Sequence, residues 1–439
     1  QMAITPLIPS PSGQITHGEV REKINELVVD SNILSITSSN NTIKVNTANL
    51  ATTLGATIDS TKVYILDGVV DFTGTGLNIE VPATGITIRG WSFELSKMVC
   101  SDENYTLYTS PIGGSGNVLG VDYAVEITGA NSKVYDLVDA TGFNAFEFAR
   151  INYNDCSSRG EINGYRQGLE TGTGYFGGKP ELTLSGTWSG GYFIDTSIVR
   201  GLVDGSYSLF KAGTGFTMAS RFRSNQNIDL NTSVSFTDFA PSNFVNPNTV
   251  QLDGCIITRN GVFTADDNTI LPNISRNDVQ SAFKNNTGLL NTYVGGKLKV
   301  ASASTTAIAA GSTYYTLGAN WLAQDMTHYD SPSAGQLRHL GVNPVEFKVQ
   351  ADFTVECNPN DVLAIRIRVW RAATSSFLEF QPQLRQVNSL IGGRDVAFFT
   401  IFTSIRLDQN DYIYFQIANN SGNNNATLEV DSFFAVEER

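Results

Sequence analysis

The most constraining feature of this chain is its texture between about residues 62 and 265, where short alternating apolar runs are broken by Gly, Asn or Asp. The runs include residues 62–66 (KVYIL), 77–81 (LNIEV), 86–89 (ITIR), 124–127 (AVEI), 181–184 (ELTL), 227–230 (NIDL), 234–239 (VSFTDF) and 249–252 (TVQL). Each is strand-length, and no helical stretch between them could carry a βαβ crossover. Strands of this kind stack into coils rather than winding with helices. At roughly 20–25 residues per coil, the segment accommodates about 8–10 turns rising ~40–50 Å.

Composition supports an all-β reading. Charged residues are only 16% of the 439, and Gly, Asn, Ser and Thr favour turns and short strands. The length invites two or three domains. With a net charge of −13 and no Lys/Arg cluster, nucleic acid is not an expected partner. No run approaches the ~20 apolar residues of a membrane span, and no basic-then-apolar signal opens the chain, so neither membrane insertion nor secretion is expected. Cys100, Cys156, Cys255 and Cys357 form no C-x-x-C pair and read as small buried hydrophobes.

Outside the stacked segment, residues 16–30 predict a helix. Val20, Ile24, Leu27 and Val28 share one face, and Thr16 with Glu19 makes a capping box. Its narrow stripe suits association with copies of itself or packing on its own domain. A connector at 266–299 predicts a short neck helix, with Ser275 as N-cap, Asp278 in the first turn, Val279 and Phe283 four apart and Gly288 beyond. The last ~140 residues carry longer alternating strands: 345–357 (VEFKVQADFTVEC), 362–371 (VLAIRIRVWR), 396–407 (VAFFTIFTSIRL), 412–418 (YIYFQIA) and 426–436 (ATLEVDSFFAV). Polar turns between them predict a sandwich or jelly roll. Residues 301–306 (ASASTT) fit either a linker or the first strand of that head. The expected domains are therefore 1–60, 61–265, 266–299 and 300–439.

Residues 405–422 (IRLDQNDYIYFQIANNSG) and 431–437 (DSFFAVE) resemble the closing strands of trimeric jelly-roll heads of the tumour-necrosis-factor and complement-C1q type. The whole order of parts resembles bacteriophage tail spikes and receptor-binding fibres with a right-handed parallel β-helix shaft. That resemblance implies a homotrimer located in the virion and made in the host bacterial cytoplasm. Its N-terminal region would face other virion proteins, and its distal domains would face a bacterial surface glycan or protein. The middle segment departs from the enzymatic spikes in being short.

The match of 172–177 (GTGYFG) to G-x-G-x-x-G fails as a dinucleotide site because Lys179 and Pro180 follow and no helix can start there. His17, His328 and His339 do not make a metal site or a triad, and the last two are expected on the head surface. No metal and no cofactor are expected. Polysaccharide depolymerisation needs paired carboxylates, for which the middle segment offers Asp136, Asp139, Glu147, Asp155, Glu161, Glu170, Asp195 and Asp204. Carbohydrate binding needs aromatic rings with amides and carboxylates beside them. Tyr165, Tyr175, Phe176, Trp188 and Tyr192 lie among glycines and are the candidate sugar-binding rings; the alternative is that they fill the interior or a seam between copies. A purely structural fibre without receptor binding is the remaining reading.

Overall fold

The protein is described by a computed structural model covering residues 41–245, 249–263, 267–275, 278, 281–342, 344–391 and 394–438. The helix expected at 16–30 lies outside the described residues. The chain divides into two compact units, one reaching to Asp238 with Thr258–Val262 added, the other comprising Phe239–Ile257 and Phe263–Arg439. No helix among the described residues is long and apolar enough to cross a membrane.

The first unit is a parallel β-solenoid. Its longest face stacks Thr42–Val45, Val63–Leu66, Ile86–Arg89, Val118–Ile127, Ala145–Asn154, Gln167–Thr171, Tyr192–Arg200 and Phe222–Leu230 in chain order, one strand for each of eight coils. Val63 lies opposite Thr87, Thr87 opposite Leu119 and Glu147 opposite Leu169, so coils take 24, 32 and 22 residues. The stack already includes Thr42–Val45, so it begins inside the segment expected as a separate N-terminal region. TIKV alone is too short and polar to announce a strand, and its pairing to Val63–Leu66 is what makes it one.

Corners divide each coil into three faces. At Asp122, Arg150 and Thr196 the backbone adopts left-handed φ of 63°, 55° and 52°. The strand past the corner opens a second face, where Lys97–Cys100 pairs with residues 124–127. Asp122 and Arg150 occupy this corner in consecutive coils and are joined by a two-pronged ion pair at 2.5 and 2.6 Å, which offsets the left-handed cost at two non-glycine positions. The third face runs Ile79–Glu80, Thr106–Thr109, Lys133–Val138, Gly160–Asn163, Leu182–Ser185, Tyr207–Ala212 and Val234–Thr237.

In-register stacking places like side chains above one another inside the coil. Tyr108 and Tyr135, Tyr153 and Tyr175, and Tyr192 and Phe222 are register partners. Their rings stack with centroids 5.3, 5.6 and 5.8 Å apart, close to the ~4.8 Å strand spacing. Between them lies a buried ion pair: Arg159 and Glu170 meet at 3.1 Å with both side chains fully enclosed. Arg159 also donates to the carbonyls of Pro180 and Leu209 and lies over the Tyr175 and Phe210 rings. The Tyr175 and Tyr192 hydroxyls donate to Glu170.

In the second unit, Val250–Asp253 pairs in parallel with Ala282–Lys284. Phe283 is therefore in a strand rather than in the neck helix expected there; Asp267–Ile270 is a single helical turn, and residues 276, 277, 279 and 280 lie outside the described residues. Gly288, expected to end that helix, instead lets the chain approach the Ile257 carbonyl, which a Cβ would meet at 1.8 Å.

The remainder is an antiparallel jelly-roll sandwich. In one sheet Val345–Glu356 pairs along its length with Arg394–Leu407, and on its other edge with Phe433–Glu438; that strand pairs with Gly295–Ser302, and Gly295–Ser302 with Asn320–Thr327. The first head strand thus includes residues 301 and 302, answering the linker question. In the other sheet Val362–Arg371 pairs with Tyr412–Asn419. Phe347, Val349, Phe353, Ile365, Ile367, Phe415 and Ile417 meet in the core. His328 and His339 are buried, not on the surface as expected. His339 lies between the rings of Tyr329 and Phe347, with centroids 5.4 and 5.0 Å away, and burial pushes its imidazole below the ordinary value. All four cysteines are buried and form no disulfide.

Candidate functional site

The five aromatic residues singled out in the sequence divide sharply. Tyr165, Tyr175, Trp188 and Tyr192 are buried inside the solenoid, so the exposed-ring reading is corrected for these four in favour of the interior alternative. The reason is the register: each falls on an inward position, and each polar tip finds an internal partner. Tyr165 meets the Ser115 hydroxyl at 2.7 Å, and the Trp188 indole donates to the Ser185 carbonyl at 3.0 Å.

Phe176 faces outward and is half-buried. It sits in a row along the second face, with Asn154 opposite it on one side and Arg200 on the other. Asn154 in turn donates to Glu126 at 2.9 Å. The neighbouring outward position in the same strand is Gly174. A Cβ there would lie 2.2 Å from the Phe176 ring and 2.5 Å from the Asn152 side-chain oxygen. The Phe176 ring therefore packs against Gly174, where a side chain would displace it.

The polar members are held in place. Glu126 is bridged by Lys97 at 2.7 Å. Burial pushes its carboxyl up, but the hydrogen bonds from Asn154 and Lys97 outweigh this and hold it below its ordinary value. Arg200 is exposed, and no carboxylate among the described residues is recorded in an ion pair with it. A flat ring flanked by an amide, an ionised carboxylate and a guanidinium matches the needs of a pyranose, whose C–H face stacks on the ring while its hydroxyls bond to the rest.

Several acids considered for catalysis have other work. Glu170 is sealed with Arg159, Asp136 pairs with Lys133, and Asp139 accepts from Thr141 and Asn144 within its own loop. Glu147 lines an open groove. Sequence reasoning found Phe176 but missed Glu126, Asn154 and Arg200, which lie one coil apart at unequal sequence intervals. No local pattern marks them; only the register brings them together.

No protein-family model matches this chain, and no curated protein matches it. Among solved structures, Eiger TNF from S. frugiperda matches 34% of this chain and 92% of its own at 9% identity, with a TM-score of 0.26. Murine APRIL, solved at pH 8.5 and at pH 5.0, matches 34% of this chain and 99% of its own at 8% and 10% identity, with a TM-score of 0.24 in both. The strand pairing itself defines the jelly-roll sandwich.

Proposed function

We propose that this chain is the homotrimeric fibre or spike subunit of a bacteriophage virion, and that it binds a glycan of the bacterial surface through the row Glu126, Asn154, Phe176 and Arg200. The observation that carries the binding reading is the Phe176 ring laid over Gly174 between an amide and a guanidinium.

Self-association is supported by the head. On the sheet face turned away from the core, Phe398 and Phe402 are 48% and 69% exposed. Two such rings on one strand form an apolar surface that association with copies of the chain would cover. The N-terminal region would then meet other virion proteins.

Light scattering on the purified protein tests the assembly, with a mass of three chains expected. Binding to host cells and to a glycan array tests the adhesin. Phe176→Ala is expected to weaken glycan binding at least tenfold with the mass unchanged, and incubation with envelope polysaccharide is expected to release no new reducing ends. A wild-type protein that binds neither cells nor any glycan would leave only the structural-fibre reading.

A further inference from the structure

A second feature of the solenoid lies at the corner between its third and first faces. Residues 139–144 form a loop organised around one carboxylate. Asp139 accepts from the Thr141 amide and hydroxyl at 2.8 and 2.6 Å, and from the Asn144 amide and side chain, both at 2.8 Å. Burial pushes the Asp139 carboxyl up, but these bonds outweigh it and hold it ionised below its ordinary value. At the tip stands Phe143, 78% exposed.

Two residues further on, Ala145 enters a groove of about 400 Å³. Thr87, Leu119 and Glu147, register partners in three consecutive coils, line its floor. Asn117 and Arg166 also line it. Glu147 is held by the Gln167 amide at 2.8 Å. The Arg166 backbone is pinned on both sides, its amide donating to Asn144 at 2.9 Å and its carbonyl accepting from Gly190 at 2.7 Å. Its side chain is exposed, and no carboxylate among the described residues is recorded in an ion pair with it, in a chain that carries 42 acids to 29 bases. A guanidinium fork presented in this way suits a planar, two-oxygen anion.

We infer that this groove is a binding site for an acidic saccharide, a pyranose bearing a carboxylate, distinct from the Phe176 row. Arg166 takes the sugar carboxylate, and Asn117, Thr87 and Glu147 meet its hydroxyls. The inference stands on different residues from the function proposed above, so either can fail alone.

The test is saturation-transfer NMR on the full chain, using glucuronate and glucose as probes at equal millimolar concentration. Transfer to glucuronate at least fivefold above that to glucose is expected. Arg166→Gln should abolish that preference, and ~0.5 M salt should weaken it. Equal transfer to both sugars, no transfer to either, or retention of the preference in Arg166→Gln would overturn the inference.

Discussion

The solenoid and the head are both all-β, yet they hold themselves together in opposite ways. In the solenoid each coil contributes one residue to each interior lane, so a side chain is judged against the coils above and below it. Polar groups can enter such a lane only if neighbouring coils satisfy them: Tyr135 and Tyr153 share a hydroxyl contact at 2.8 Å, and Arg159 finds Glu170. In the head, long antiparallel strands alternate between core and solvent. Its interior is aliphatic and phenylalanine-rich, and buried polar groups gather near the turns. Asp411 there accepts from Arg371 and from the amides of Ala372 and Asp408. A parallel stack thus tolerates charge inside when register guarantees the partner, whereas a sandwich moves it to the rim.

Breaking the interior ion pair tests this contrast most severely. Glu170→Ala leaves Arg159 charged and buried, and should cost the solenoid about 3–5 kcal/mol, read as a lowered urea midpoint for that unit alone. The double variant Arg159→Met with Glu170→Leu should recover most of the loss if the pair serves register more than stability. Burial pushes the Glu170 carboxyl above its ordinary value despite the opposing Arg159 and Tyr192. The folded state therefore binds a proton more readily than the unfolded chain, and solenoid stability should fall as pH rises from the ordinary carboxylate value through the raised one. Glu170→Gln should flatten that slope.

A smaller loss is expected at a glycine of the third face. Gly160 has φ +86°, and a Cβ there would lie 2.0 Å from the Tyr135 carbonyl. Gly160→Ala should cost about 1–3 kcal/mol, whereas Gly422→Ala in the head, where a Cβ meets nothing within 4 Å, should be close to neutral. Thermal unfolding of the two variants compares them directly. Tyr153→Phe removes only the hydroxyl contact with Tyr135 and should cost about 1 kcal/mol.

The mildest test concerns the head. Burial holds the His339 imidazole below its ordinary 6.5. The unfolded chain therefore takes up a proton before the folded one, and head stability should fall as pH drops through 6.5 towards the depressed value. His339→Phe should remove that dependence, as followed by denaturation midpoints between pH 5 and 8.

Much of the architecture was legible in the sequence because it is written in local alternation. The strands expected at 345–357, 362–371, 396–407 and 412–418 emerge near those bounds, since each face of a sandwich imposes period-two burial on its own residues, whereas 426–436 divides into Ala426–Leu428 and Phe433–Glu438. The stacked character of the middle segment was legible for the same reason, together with the lack of helical crossovers. Register was not. Coils of 21 to 32 residues hide any repeat, and left-handed corners at Asp122, Arg150 and Thr196 interrupt the alternation, so parity in one face does not predict the next. Hence Tyr165, Tyr175, Trp188 and Tyr192 could be read as exposed, while Phe176, adjacent to Tyr175, alone faces out. The sequence by itself determined that this chain is β throughout and that it changes from stacked coils to a sandwich. Only the tertiary structure decided which rings fill the coil and which residues from separate coils meet outside it, because both depend on hydrogen bonds between strands more than twenty residues apart.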